Sequence, residues 1–211
     1  MVDDVAFRPV RCGALLFWLL ATVVSIPAQN RADALELYRQ DRFQEAVEVT
    51  REELAENPAN LDAYTVLGWS LLALNRDEDA LEAGLDGLQV SRFDHRLLNI
   101  VGEAHYRLGN DTEALQYLQN YAAVAPTGSL IDEVYYVMGE VHLRLEEYHH
   151  ADIALTTAVF LNSNRPRWWA RLGYAREMAG SPEYAAEAYQ EALDRNPNLI
   201  EAQRGLDRVA G

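Results

Sequence analysis

Histidine is the side chain best placed for chemistry in this sequence, at positions 95, 105, 142, 149 and 150. His142, His149 and His150 could converge on a metal ion, since His142 closes one helical stretch and the pair opens the next. The competing reading makes His105 and His142 core side chains filling aromatic slots, each three residues after a glycine, with Glu146 and Glu147 solvated in the turn. No other catalytic constellation is present: there is no Gly-rich phosphate loop, no Gly-x-Ser-x-Gly and no His-Glu-x-x-His. All 18 basic residues are arginine, so neither a Schiff-base lysine nor a phosphate-loop lysine exists. Cys12 is the one cysteine, which excludes a disulfide framework within one chain and a multi-cysteine metal site. The chain therefore reads as non-enzymatic, with no cofactor and no assigned metal, and the histidine trio stands as an alternative.

Charge and composition narrow the class of partner. The 33 acidic residues outweigh the basic ones to give a net charge of -15. Such a surface is ill suited to nucleic acid, where phosphate neutralisation dominates affinity, and is repelled by anionic lipid headgroups. With 49% hydrophobic and 24% charged residues, the chain is neither disordered nor a multi-span membrane protein.

The apolar run 14–26 needs its own account. A helix requires about 20 apolar residues to cross a bilayer, and these 13 suit the core of a secretory signal. Arg8 and Arg11 supply the positive flank, and Pro27-Ala28 breaks the helix before a small residue, which places cleavage after Ala28. A retained anchor formed by residues 14–26, or a helix packed on the fold, is the alternative. Cys12 precedes the run, the wrong side for a lipoprotein signal.

The elements that would position any site follow from an internal repeat. Gly68, Gly102, Gly139 and Gly173 are spaced by 34, 37 and 34 residues. Ala46, Ala80, Ala114, Ala151 and Ala185 follow at 34, 34, 37 and 34, so both tracks carry one three-residue insertion, near 126–129. Four residues before each glycine stands Tyr64, Leu98, Tyr135 or Trp169, a helical interval. Small residues on both tracks let two helices approach closely. Turn signals separate the halves: Ser181 is placed to cap a helix with Pro182 at its first position, and Asn57-Pro58 and Asn196-Pro197 stop two others.

These residues resemble the tetratricopeptide repeat (TPR) family. The resemblance implies an all-α, right-handed superhelical solenoid of about five helix-turn-helix units, at 27–60, 61–94, 95–131, 132–165 and 166–199. A solvating helix at 200–211 would close the array, so residues 1–28 form the signal or anchor and 29–211 the repeat domain. The first unit departs most, with Ala34 in place of its glycine.

In this family one stripe of each first helix, at -3, +1, +4 and +5 from the glycine, lines a concave peptide-binding groove. Here the resemblance assigns the groove to Trp69, Asn99, Glu103, Tyr106, Arg107, Tyr136, Glu140, Arg144 and Tyr174. Tyr, Trp and Arg are enriched at binding hot spots, and packing between units is the other use for these rings. Glu103 and Glu140 are expected to hold Arg107 and Arg144, so that rings and guanidinium groups together meet an apolar and an acidic residue of a partner. Trp169 reads as core, while Trp168 either covers the preceding unit or is exposed. A carboxylate clamp of the Lys/Asn/Arg type is disfavoured, because lysine is missing and two glutamates face the groove.

The resulting reading is a non-catalytic scaffold that binds a segment of another cell-envelope protein, periplasmic or secreted after signal cleavage. A small-ligand or metal-binding module using the groove or His142, His149 and His150 is one alternative, and a cytoplasmic adaptor another. No nucleic acid is expected as partner, and a membrane only through an uncleaved N-terminal segment. Export makes a direct prediction: chains recovered from the native envelope begin at Gln29 by intact mass. A full-length membrane-integrated species would instead establish the anchor, and full-length soluble cytoplasmic protein would defeat the export reading.

Overall fold

A computed structural model describes residues 33–211. The segment read as a signal or anchor, including 14–26 and the cleavage position at Ala28, lies outside the described residues. The described chain is all helix, in pairs: α1 (Ala34–Arg39) with α2 (Phe43–Glu56), α3 (Leu61–Ala73) with α4 (Asp77–Val90), α5 (His95–Leu108) with α6 (Asp111–Val124), α7 (Ile131–Arg144) with α8 (Tyr148–Leu161), and α9 (Pro166–Met178) with α10 (Pro182–Arg195). A single helix, α11 (Ile200–Ala210), follows. None of the described helices is long and apolar enough to cross a membrane.

Each helix packs on the next, and each first helix also touches the first helix of the following pair, from α1 on α3 to α9 on α11. Among the described residues, the backbones of neighbouring second helices do not approach one another as those of the first helices do. The first helices are thus the crowded side and the second helices are splayed, so the stack is concave where the first helices lie.

The repeat glycines explain the close approach within a pair. A Cβ built on Gly102 would sit 2.8 Å from Leu118 Cδ2, on Gly139 2.5 Å from Leu155 Cγ, and on Gly173 2.7 Å from the Tyr189 ring. Leu118, Leu155 and Tyr189 each lie four residues beyond a repeat alanine, one turn along the second helix. The second unit is built differently. Gly84 occupies the equivalent position and leaves its first helix nothing to meet. The gap is filled from the next unit: a Cβ built on Gly68 would sit 2.8 Å from Ile100 Cγ2, and one on Gly84 2.6 Å from Val101 Cγ2.

A further track at the same period appears in the turns within pairs. Asp41, Asn75, Gly109, Glu146 and Gly180 all have φ between 55° and 80°. This left-handed geometry ends the first helix and turns the chain back. The three-residue insertion folds over the fully buried Tyr121, whose Oη accepts from Leu130 N–H at 3.3 Å. Ile131 opens α7, so the fourth pair begins one residue earlier than the glycine count places it. Pro182 stands at the first turn of α10 as its type demands, but Ser181 makes no side-chain cap bond.

These contacts predict the effect of the smallest enlargement. Gly139→Ala gains about 1 kcal/mol of helix propensity but presses on the branch carbon of fully buried Leu155, an overpacking worth roughly 1–3 kcal/mol. The expected net result is a lower melting temperature, measured by circular dichroism. An unchanged or raised value would contradict the packing described.

Candidate functional site: the groove of the first helices

The concave side carries a continuous trough. One stretch is lined by Tyr38, Trp69, Asn99, Glu103, Leu130 and Glu133. The adjoining stretch shares Asn99, Glu103 and Glu133 and continues to Tyr136, Val137, Arg165 and Trp168. Two aromatic pairs flank it. Tyr38 and Trp69 have ring centroids 5.7 Å apart, and Tyr136 stacks on Trp168 at 4.9 Å and 12° between planes. Arg165 lies over the Trp168 ring. Burial, with Glu140 nearby, pushes the Tyr136 hydroxyl up to about 12, so it remains a neutral donor.

Between the two aromatic pairs lies Asn99, only 8% exposed. Its side-chain amide makes no hydrogen bond among the described residues. Its polar atoms open on the trough, and an amide can satisfy both a donor and an acceptor.

The nine residues assigned by the resemblance fall into distinct positions. Trp69, Asn99, Glu103 and Tyr136 line the trough. Tyr174 lines a separate hollow at the C-terminal end, with Arg171, Tyr189, Glu201, Arg204 and Arg208. Glu103 holds Arg107 at 2.5 Å, as expected, and Arg107 also donates to the Leu72 carbonyl at 2.8 Å. The second expected pair does not form. Glu140 binds Arg171 of the next first helix at 2.6 Å. Arg144 instead reaches the preceding unit, where it pairs with Asp111, donates to the Tyr106 carbonyl and lies 4.5 Å over the Tyr106 ring. Both guanidinium groups are therefore committed within the solenoid, and Tyr106 is roofed by one of them. An acidic partner residue finds no free cation there.

Arginines tie neighbouring units throughout. Arg96 bridges to Asp62, Arg165 to Glu133, Arg195 to the Ser163 carbonyl and Arg208 to Glu177, each across about one repeat. Most are solvated and each contributes little by itself, about 0–1 kcal/mol. Trp168 proves to be the cover on the preceding unit. Trp169 is half-buried rather than core, donating to the Ser163 carbonyl at 2.9 Å beneath Arg195. His105 is half-buried and stacks on Tyr117, and burial holds its pKa below the usual imidazole value. His142 pairs with Glu147 at 2.7 Å, not with His149.

Several lining residues escaped the sequence reading. Tyr38 stands four residues after Ala34, the +4 position of the divergent first unit. Glu133 lies six residues before Gly139, which a helix of 3.6 residues per turn puts on the same stripe one turn earlier. Arg165 and Trp168 lie off the stripe and reach the trough only through stacking between units.

The architecture is that of a helical-pair repeat solenoid. A family model described as "Tetratricopeptide repeat" matches residues 31–89 and 136–200, more than half of the chain, and the protein belongs to the TPR family. That fold is a scaffold for protein–protein interaction. The human RNA polymerase II-associated protein 3 is 24% identical over 192 residues, 82% of this chain, which spans only 27% of that protein's length. Among solved structures, MamA superposes with TM-score 0.71 at 19% identity, covering 82% of this chain and 99% of that one. YrrB, a TPR protein with an unusual peptide-binding site, gives 0.70 at 16% identity over 82% and 88%.

An ion pair at the C-terminal end of the array links stability to pH. Arg208 and the Tyr189 hydroxyl hold the Glu177 carboxyl below its usual value. A depressed carboxylate stabilises the fold above the ordinary glutamate range, near pH 4.3, and that stabilisation is lost as pH falls through the lower folded value. Since Arg208 is half exposed, the effect is under about 1 kcal/mol. Protection factors of α11 amides, which remove the intrinsic pH dependence of exchange, are expected to fall on acidification in the native chain. In Glu177→Gln they are expected to be lowered already at neutral pH, with a flatter response to acid.

Proposed function

We propose that this protein is a non-catalytic scaffold whose trough takes an extended segment of another protein. The observation that carries this is Asn99. Its amide lines both stretches of the trough beside members of both aromatic pairs and makes no hydrogen bond among the described residues, so a peptide group can serve it as both donor and acceptor. The rings of Trp69 and Tyr136 would take apolar side chains on either side. Glu103 and Glu133 line both stretches of the trough, and the protein's net charge is -15, so a basic residue of the partner is favoured over an acidic one. The peptide-binding site for which YrrB is described lends this reading support by analogy of fold. The signal-like run 14–26 supports a partner in the cell envelope, with the scaffold periplasmic or secreted.

A displayed library of random peptides, panned on the full chain, tests the reading. Enriched sequences are expected to combine aromatic or aliphatic residues with Arg or Lys. Asn99→Leu, close in volume and unable to hydrogen bond, is expected to weaken capture at least tenfold while helical content is kept. Enriched peptides that bind Asn99→Leu and Tyr136→Ala at full strength would place the binding surface elsewhere.

A further inference from the structure

Outside the trough, the turn between α7 and α8 gathers three donor groups. His142 lies in the last turn of α7, Glu147 sits at the N-cap of α8, and His150 falls three residues later, which brings it back to the same side of the helix. His142 Nδ1 is 2.7 Å from Glu147 Oε2, and His150 Nδ1 is 3.9 Å from that same oxygen. The imidazole centroids are 5.3 Å apart, and one donor atom from each residue lies within 4.8 Å of the others. His149, one residue earlier, is turned about 100° away on the helix and takes no part.

The backbone fixes this arrangement before any ligand arrives. Glu147 N–H donates to the His142 carbonyl at 2.8 Å. Glu146 adopts φ 59°, a left-handed conformation that other units give to Gly, Asn or Asp and that costs a longer side chain about 1–2 kcal/mol. The Glu147 carboxylate makes no cap bond to its own helix and turns to His142 instead.

We propose that His142, Glu147 and His150 form a binding site for a first-row divalent metal ion, which staples α7 to α8. Two imidazoles and one carboxylate are a ligand set that Zn²⁺ accepts with a fourth position left to solvent. Metal–ligand distances of about 2.0–2.1 Å in a tetrahedral site separate the donors by about 3.3–3.4 Å. The His142–Glu147 separation must open and the His150–Glu147 separation close, each by less than an ångström, while the two imidazole nitrogens, within 4.8 Å, close by up to about 1.5 Å. His142 is the fixed member, with its side chain only 12% exposed, whereas Glu147 and His150 are largely solvated and free to rotate. This site shares no residue with the trough and stands whether or not the trough takes a peptide.

Calorimetric titration of the full-length, untagged chain with Zn²⁺ tests it, alongside Co²⁺ absorption as a report of tetrahedral geometry. The expected result is one ion per chain, tetrahedral Co²⁺ bands, and a higher melting temperature in Zn²⁺. His142→Ala and His150→Ala are each expected to weaken binding at least tenfold, and His149→Ala to leave it unchanged. His150 is exposed, so its variant remains informative even if His142→Ala disturbs the fold. No Zn²⁺ uptake, or uptake that survives His150→Ala, would overturn the site, as would uptake lost in His149→Ala instead.

Discussion

Everything in this solenoid depends on how near the two helices of a pair can come. A glycine on the first helix receives a side chain from the second with no room for a Cβ, at Gly102, Gly139 and Gly173 alike. Close-packed interiors tolerate little change in volume at such contacts. The second unit meets the same constraint by another route, since it places glycines on both helices and borrows Ile100 and Val101 from its neighbour. Filling the contact is therefore compulsory, while the source of the side chain is not.

Tight pairs bring the first helices side by side and leave their inner stripe as a continuous surface. Arginine then joins unit to unit. The planar fork with its several donors reaches two acceptors at once, as in Arg96 on Asp94 and Asp62, or Arg107 on Glu103 and the Leu72 carbonyl. A lysine ammonium lacks that fork, which gives a physical sense to a chain whose 18 basic residues are all arginine. The same commitment leaves no free guanidinium at Arg107 or Arg144, and the trough beside them is lined by aromatic rings, carboxylates and the Asn99 amide.

Legibility in the sequence followed the range of the interactions. Helices, turns and their period could be read because glycine, alanine and proline act locally, within a turn or two of their own positions. Trp69, Asn99, Glu103 and Tyr136 could be assigned to the lining through the family resemblance, once the register was known. Pairings between units could not. Glu140 has Arg144 at the favourable i+4 distance, yet Arg171 on the next helix wins, and no spacing within one helix announces that. The left-handed turn track was visible at Gly109 and Gly180 and hidden at Glu146, whose residue type argues against the conformation it adopts. Glu147 was likewise taken as solvated, because its turning toward His142 depends on how that one turn is folded.

The borrowed contact at Gly84 bears on how such an array can be inherited. Repeats multiply and vanish through recombination of whole units, and most junctions here would survive it, since the third, fourth and fifth units each bring their own filling side chain. Excision of the third unit would set Gly68 and Gly84 against Val137 and Met138 in place of Ile100 and Val101. A valine is one methylene short of the isoleucine it would replace, a void of about 1 kcal/mol at a contact already lacking a side chain of its own. The second and third units are thus linked as a heritable block, and a duplication or deletion that separates them carries this penalty.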